Sequence, residues 1–336
     1  MVSPGSQGDH REMTQSGSPQ AQVAEFLHAA TLAPSMHNTQ PWRFRVLWDI
    51  ETIELYADPD RMLPRSDPHG RAVHIACGAA LFNLRVAAAA AGRLAVARLL
   101  PTPAQPLLLA TVRLGGQHRP DDTDRELYAA IPARHTNRGP YSGRPVPPGV
   151  LAELVAAAQL EGATLSLPGH DETHRLLRLI ADAETDLVGD PCYREELARW
   201  VGGERDKDGI PGSAAGPRDP RGSTPVRDFL PGHTAGYAWF EEQPQLAVLS
   251  TASSTKVDWL RAGQALQRVL LTATQHGIAT SPLTQPLETG DAWQVRDPVS
   301  GRGSPQLILR IGYGLPAPAT PRRPVSDVLD TAPPGK

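Results

Sequence analysis

At 336 residues, with 40% hydrophobic and 21% charged positions, the chain is an ordinary globular polypeptide, long enough for two domains and a sizeable core. Its net charge of −3 gives no general attraction to nucleic acid or anionic lipid, and no run reaches the roughly 18 apolar residues of a membrane span. Two cysteines make neither a disulfide framework nor a zinc site, and Cys77 sits in an apolar helical pattern as a small core residue.

Residues 1–18 are rich in Gly, Ser and Gln without an apolar segment, which predicts a disordered tail and not a signal peptide; the expected location is cytoplasmic. Gln20 to Leu32 carries Val23, Phe26, Leu27 and Ala30 at helical spacing. Then comes Ala33-Pro34-Ser35-Met36-His37-Asn38-Thr39-Gln40-Pro41-Trp42, a polar connection stiffened by two prolines. Phe44, Val46 and Trp48, then Ile53, Leu55 and Tyr56, alternate as a hairpin. A proline-punctuated loop, 58–70, leads to a long helix, Ala72 to Ala91, closed by Gly92. Leu107 to Leu114 reads as a strand and Asp121 to Ile131 as a helix with acidic residues in its first turn.

A basic loop, Arg134-His135-Thr136-Asn137-Arg138, opens a second organisation. Pro147-Pro148 starts a helix to Gln159, followed by a strand at Ala163 to Leu167 and helices at His170 to Leu187 and Tyr193 to Val201. The Gly/Pro/Arg/Asp segment 202–236 has the length of a lid or binding loop. Leu246 to Ser250 is a strand, Lys256 to His276 a long helix closed by Gly277, and Gln306 to Tyr313 a strand before a Pro/Arg tail. The halves look alike. Gly78-x-Ala80-Leu81 and Gly263-x-Ala265-Leu266 each begin a long helix, and Gly92 and Gly277 end those helices at the same distance. Val23 to Ala30 corresponds to Val150 to Ala157, so the chain reads as a duplicated α+β unit.

Several motifs fail on their own terms. His170 and His174 stand one helical turn apart, but Asp171 departs from H-E-x-x-H and no third ligand is apparent. Gly312-Tyr313-Gly314-Leu315-Pro316-Ala317 follows a strand, but its prolines forbid the helix that a dinucleotide fingerprint needs. His37 near Ser35 carries no triad meaning. In the basic loop, two arginine forks flank a threonine hydroxyl, a combination suited to phosphate.

Ala33-Pro34-Ser35-x-x-Asn38-x-Gln40-Pro41-Trp42 resembles the A-P-S-x-x-N-x-Q-P-W turn of the FMN-dependent nitroreductase family. Arg134-His135-Thr136-Asn137-Arg138-x-x-Tyr141 is similar to that family's opening motif. Ser281-Pro282-Leu283, the last strand and Arg322-Arg323 resemble its C-terminal half. Asp58-Pro59-Asp60-Arg61 with Cys77 to Leu84 resembles the internally duplicated actinobacterial Acg subgroup. The resemblance runs from about residue 20 to the end. It implies an α+β nitroreductase-like fold: a first unit at 19–131 and a second at 132–336 with a lid at 202–236, fused as a pseudo-dimer around one flavin site. It further implies that Arg134 and Thr136 hold phosphate or ribityl oxygens, with Arg322 or Arg323 assisting. Arg138 would lie near the flavin N1/O2 edge, Pro34, Ser35, Met36 and Asn38 against the ring and ribityl chain, and Pro282, Leu283 and Thr284 near N5.

The first half has the P-S-x-x-N turn without an arginine motif before it; the second has the arginine motif without that turn. Each half therefore brings one part of a single site, and the expectation is one FMN per chain. The implied activity is NAD(P)H-dependent reduction of a nitroaromatic or quinone-like small molecule by ping-pong transfer through FMN. The alternative is an FMN-sequestering protein with its lid closed. The partners expected are small molecules, with no nucleic acid and no membrane; whether two pseudo-dimeric chains form a homodimer is open.

Overall fold

The computed structural model describes residues 18–222, 224–229, 236–289 and 303–330. The expected tail thus lies outside the described residues, apart from Ser18. Ser18 caps the first helix: its hydroxyl accepts from the Ala21 amide at 3.2 Å, and Pro19 fills the first turn. This helix, α1 (Pro19–Thr31), buries the expected stripe of Val23, Phe26, Leu27 and Ala30. The hairpin follows as β1 (Trp42–Leu47) and β2 (Thr52–Ala57), with Phe44 opposite Leu55 and Val46 opposite Ile53. Then come α2 (Arg71–Ala90), β3 (Arg93–Leu99), β4 (Leu108–Gln117) and α3 (Asp122–Ala130).

The second half runs α4 (Pro148–Leu160), β5 (Thr164–Ser166), α5 (His170–Gly189), α6 (Pro191–Trp200), β6 (Gln245–Thr251), α7 (Lys256–Gln275), β7 (Ala279–Pro282), β8 (Ser304–Gly312) and a last turn of helix, α8 (Val325–Val328). Its sheet has the order β5-β6-β8-β7, and the first sheet the order β1-β2-β4-β3. Every strand pair is antiparallel and the two orders match strand for strand, so the duplication legible in the sequence is a duplication of topology. Strands β3 and β7 and the helix α8 were not expected from the sequence. β3 alternates weakly in an Ala- and Arg-rich stretch, and β7 is four residues ending in proline.

The two units meet along α2 and α7. Here the motif glycines take a different place from the one their sequence position suggested. Gly78 and Gly263 do not start their helices; each is the eighth residue, and each lies at the crossing. A Cβ on Gly78 would stand 2.3 Å from the Leu260 carbonyl oxygen, and one on Gly263 would stand 2.0 Å from that of Ile75. Since Leu260 precedes Gly263 by three residues, as Ile75 precedes Gly78, the contact is the same on both sides, as at a two-fold dimer interface. Glycine is required because backbone meets backbone. Gly92 and Gly277 do end their helices, at φ 77° and 65°.

Helix α2 is the described helix long and apolar enough to cross a membrane, and 83% of its apolar window is buried inside the protein. It is the core of the fold: Val73 to Leu84 is buried throughout, with Asn83 held by the Ala29 carbonyl at 2.9 Å and by Gln267 of α7 at 2.7 Å. The chain after Gly314 crosses back onto the first unit. Leu329 bridges Phe44 in parallel, and the Asp330 amide donates to the Phe44 carbonyl at 2.7 Å.

Candidate functional site

A cavity opens where the α1–β1 connection, the first half of α2, the middle of α7, β7, β8 and the segment 215–229 converge. Of the residues expected at the site, Pro34, Ser35, Met36, Thr136, Arg138, Pro282, Leu283 and Thr284 line it. They come from both units, so the cavity exists only because the halves are packed together.

The connection that supplies Pro34 to His37 is strained and heavily braced. His37, Asn38 and Gln40 have φ of 49°, 57° and 51°, the left-handed region, which costs non-glycine residues of order 1–3 kcal/mol each. The bracing is visible bond by bond. Ser35 Oγ accepts from the Gln40 amide at 2.9 Å, and Thr39 Oγ1 donates to the Met36 carbonyl at 3.0 Å. Asn38 Nδ2 donates to the carbonyls of Gly209 at 2.8 Å and Pro321 at 2.9 Å, while Asn38 Oδ1 accepts from Arg322 at 3.0 Å. Gln40 Nε2 donates to the Lys207 carbonyl at 2.9 Å, and Gln40 Oε1 accepts from the Arg323 amide at 2.8 Å. Asn38 therefore ties the turn to Gly209 and to the C-terminal segment at Pro321 and Arg322, and it does not line the cavity as expected.

Arg323 is likewise spoken for. It pairs with Asp58 at 3.4 Å and donates to the carbonyls of Gln40 at 3.2 Å and Asp327 at 2.5 Å. It holds the C-terminal segment down and does not line the cavity. Arg134 and Arg322, also expected at the site, do not line the cavity either; of the basic loop and the C-terminal pair, Arg138 is the arginine on its wall. Arg134 is buried and Arg138 and Arg322 are half-buried; their guanidiniums bond carbonyl or amide oxygens and, for Arg322, the Thr320 hydroxyl at 2.7 Å, with no carboxylate partner among the described residues. Nε of Arg134 and of Arg322 has no hydrogen-bond partner. Burial, with the neighbouring guanidiniums adding repulsion, pulls Arg134 down to about 9 and Arg138 to about 10; burial alone takes Arg322 to about 10. Three cations near enough to repel one another, Arg138 on the cavity wall and Arg134 and Arg322 off it, are a combination that favours an anion.

What positions the arginine motif is the second sheet. Thr136 bridges Thr280 of β7 in parallel, and the Asn137 amide donates to the Thr280 carbonyl at 2.9 Å. Asn137 Nδ2 reaches the Leu315 carbonyl at 2.6 Å. Tyr141 closes the loop through Asn137 and lies 3.8 Å from the guanidinium of the fully buried Arg310.

From the segment 202–236, Ala215, Val226, Arg227 and Phe229 line the cavity; 223 and 230–235 lie outside the described residues. Arg227 forks onto Glu288 at 2.5 and 2.9 Å, with both side chains nearly inaccessible, and also donates to Tyr193 and to Thr284 at 3.3 Å. Glu288, first among its neighbours, raises the Arg227 pKa against the cost of burial. Phe229 lies 4.9 Å from the Arg138 guanidinium and edge-on to His37 at 6.1 Å. The segment is also pinned by Arg61 to Asp208 at 2.9 Å, and Ile210, Ala214 and Ala215 share an apolar cluster with Tyr193 and Leu197 of α6.

Sequence reasoning left out Arg71 and Arg227 as cavity residues. Nothing in a sequence marks Arg71, one arginine among many, or says which lid residues turn inward. His37 stood in the singled-out stretch, and its role follows from burial: its Nε2 has no partner, and desolvation, then Arg227 and Arg138, keep its pKa well below the ordinary 6.5. The rings of His170 and His174 meet edge-to-face with centroids 4.4 Å apart, but among the described residues no group of three metal-ligating side chains exists.

Two fused units of one α+β topology, with a cationic cavity at their junction, define the class. No family model matches the sequence. Curated relatives do. The chain is 39% identical over 320 residues to "Putative NAD(P)H nitroreductase Rv3131" of Mycobacterium tuberculosis, covering 92% of this chain and 91% of that one. It is 32% identical over 315 residues to "Putative NAD(P)H nitroreductase acg" of the same organism, covering 91% and 95%. Among solved structures, an FMN-bound nitroreductase from Bacteroides fragilis aligns with TM-score 0.36 and 16% identity, covering 59% of this chain and 93% of that one. The nitroreductase-like protein from Bacillus cereus aligns with TM-score 0.37 and 14% identity, covering 61% and 95%. The chain belongs to the NAD(P)H nitroreductase family, in the group that includes Acg, and is an oxidoreductase of nitroreductase type.

Proposed function

We propose that the chain binds one FMN in the junction cavity and uses NAD(P)H to reduce nitroaromatic or quinone-like small molecules by a ping-pong cycle. The observation that carries this reading is the cluster of Arg134, Arg138 and Arg322, without a carboxylate partner among the described residues and with two guanidinium Nε atoms unpartnered. A phosphate dianion satisfies such a cluster; a neutral ligand does not. Arg134 and Arg322 would hold the phosphate, Thr136 the ribityl chain, and Arg138 the edge of the ring where negative charge gathers on reduction. Pro34, Ser35 and Met36 would lie along the ring, and the backbone of Pro282, Leu283 and Thr284 along its opposite edge. FMN when bound supplies two-electron transfer from a nicotinamide to an organic acceptor. The chain's own residues orient, exclude water and supply positive charge, so the lack of a catalytic acid–base pair is no objection.

A second reading is supported by the lid. The buried fork of Arg227 on Glu288, and the apolar anchoring of Ile210 to Ala215, favour a closed segment that keeps a flavin and excludes its partners. One experiment separates the two. Purified, FMN-reconstituted protein is mixed anaerobically with NADPH in a stopped-flow spectrometer. Bleaching of the flavin band within seconds supports turnover, and a band unchanged over minutes supports sequestration. A protein that takes up no FMN refutes both, and two FMN per chain refutes the single shared site.

A further inference from the structure

Arg71 opens α2 with its side chain on the cavity wall. Its Nη1 donates to the Gln306 carbonyl at 2.5 Å and its Nη2 to the Leu287 carbonyl at 3.2 Å, both neutral acceptors. The acidic groups that act on it are already committed elsewhere. Asp67 Oδ2 accepts from the Val73 amide at 3.0 Å as it caps α2, and Glu288 receives the fork of Arg227. Among the described residues no carboxylate reaches ion-pair distance of Arg71. Burial lowers its pKa, with Asp67 and then Glu288 acting the other way, yet a guanidinium stays charged at neutral pH.

The rest of the wall sharpens this. No Asp or Glu is among the described residues that line the cavity. Of the other cations on that wall, Arg227 is neutralised by Glu288, and Arg138 is accounted for by FMN in the reading above, with Arg134 and Arg322 off the wall. Arg71, from a different helix, is one cation too many for that cofactor. On its own helix the wall continues with Ala72, Ile75 and Ala76, and α7 adds Leu266 and Leu270. A single fork set in an apolar wall matches one carboxylate or sulfonate on an aromatic ring.

We propose that Arg71 is a specificity-determining residue that anchors the anionic group of the second substrate, so that the acceptor entering this cavity is an aryl carboxylate or sulfonate. The inference rests on the flavin reading, and its test keeps the two apart. FMN-loaded oxidised protein is titrated with 4-nitrobenzoate and with its neutral counterpart 4-nitrotoluene, following the perturbation of the flavin band and, independently, the heat of binding. The wild-type chain binds the anion roughly tenfold or more tighter than the neutral compound. In R71Q, which removes the charge and keeps an amide donor, that ratio falls to about one, whereas R71K keeps part of it. Thermal melts and circular dichroism of both variants establish that they fold. Equal affinity for the two probes in the wild type overturns the inference, as does a ratio that survives R71Q. A loss of FMN affinity in R71Q as large as the loss of anion affinity also overturns it, because Arg71 then serves the cofactor. A wild-type chain that takes up no FMN brings down the flavin reading and this inference together. One that takes up FMN but ignores the charge of the probe brings down the inference alone.

Discussion

In the first unit ten residues, 32–41, join α1 to β1; in the second, three residues, 161–163, join α4 to β5. The long link builds the strained, braced wall of the cavity. The short link ends in a different solution. Its Glu161 accepts from Arg85 at 2.7 Å and from Arg268 at 3.1 Å, and its side chain is 7% exposed. Arg85 stands on α2 where Leu270, a cavity residue, stands on α7: each follows its crossing glycine by seven residues. Around one end of the helix pair the duplicated fold leaves room. At the matching end, long charged side chains fill the space and satisfy each other. The lesson is that a repeated scaffold does not entail a repeated site; the connection between helix and strand decides.

Removing the lid's anchor tests the end that has a cavity. E288Q takes from buried Arg227 the carboxylate it forks onto and leaves Glu184 as its remaining counter-charge, which costs about 3 kcal/mol; the expected result is a lower denaturant midpoint and faster proteolytic cutting between residues 202 and 229. The shared scaffold is tested next. G263A forces the α2–α7 crossing apart and costs about 3 kcal/mol, and G78A costs a similar amount, both read from thermal melts. A large difference between them would break the two-fold equivalence of the crossing. The cofactor end is probed by R322Q, which should weaken FMN binding roughly thirtyfold, about 2 kcal/mol, by fluorescence quenching. Its counterpart is E161Q at the filled end, which should cost about 1–2 kcal/mol of stability and leave the stoichiometry at one FMN. A second FMN appearing in E161Q would mean that Glu161 blocks an intact site.

The smallest effect is one of pH. Burial holds His37 below its ordinary 6.5, so the folded chain resists a proton that the unfolded chain accepts. Stability from this group is present above about 6.5 and is lost as pH falls through it, by at most about 1.4 kcal/mol per pH unit. H37N, which tolerates the left-handed backbone, should flatten that slope in denaturation curves of the apo protein between pH 6.5 and 5. An unchanged slope would mean that the imidazole is protonated in the folded chain.

By itself the sequence determined the helices, because apolar spacing, caps and terminal glycines are local: α1, α2, α4 and α7 fall within a residue or two of where periodicity puts them. It also determined the duplication and the two complementary motifs, since both are written in contiguous residues. It did not determine β3 and β7, whose pairing with β4 and β8 comes from long-range hydrogen bonds and not from their own weak patterns. Nor did it separate Arg322 from Arg323, adjacent in the chain. One lies near Arg134 without a carboxylate partner among the described residues, and the other is paired with Asp58. Only the tertiary structure decides that, because the worth of a charge depends on which groups the fold brings within a few ångströms of it and how much water it leaves there.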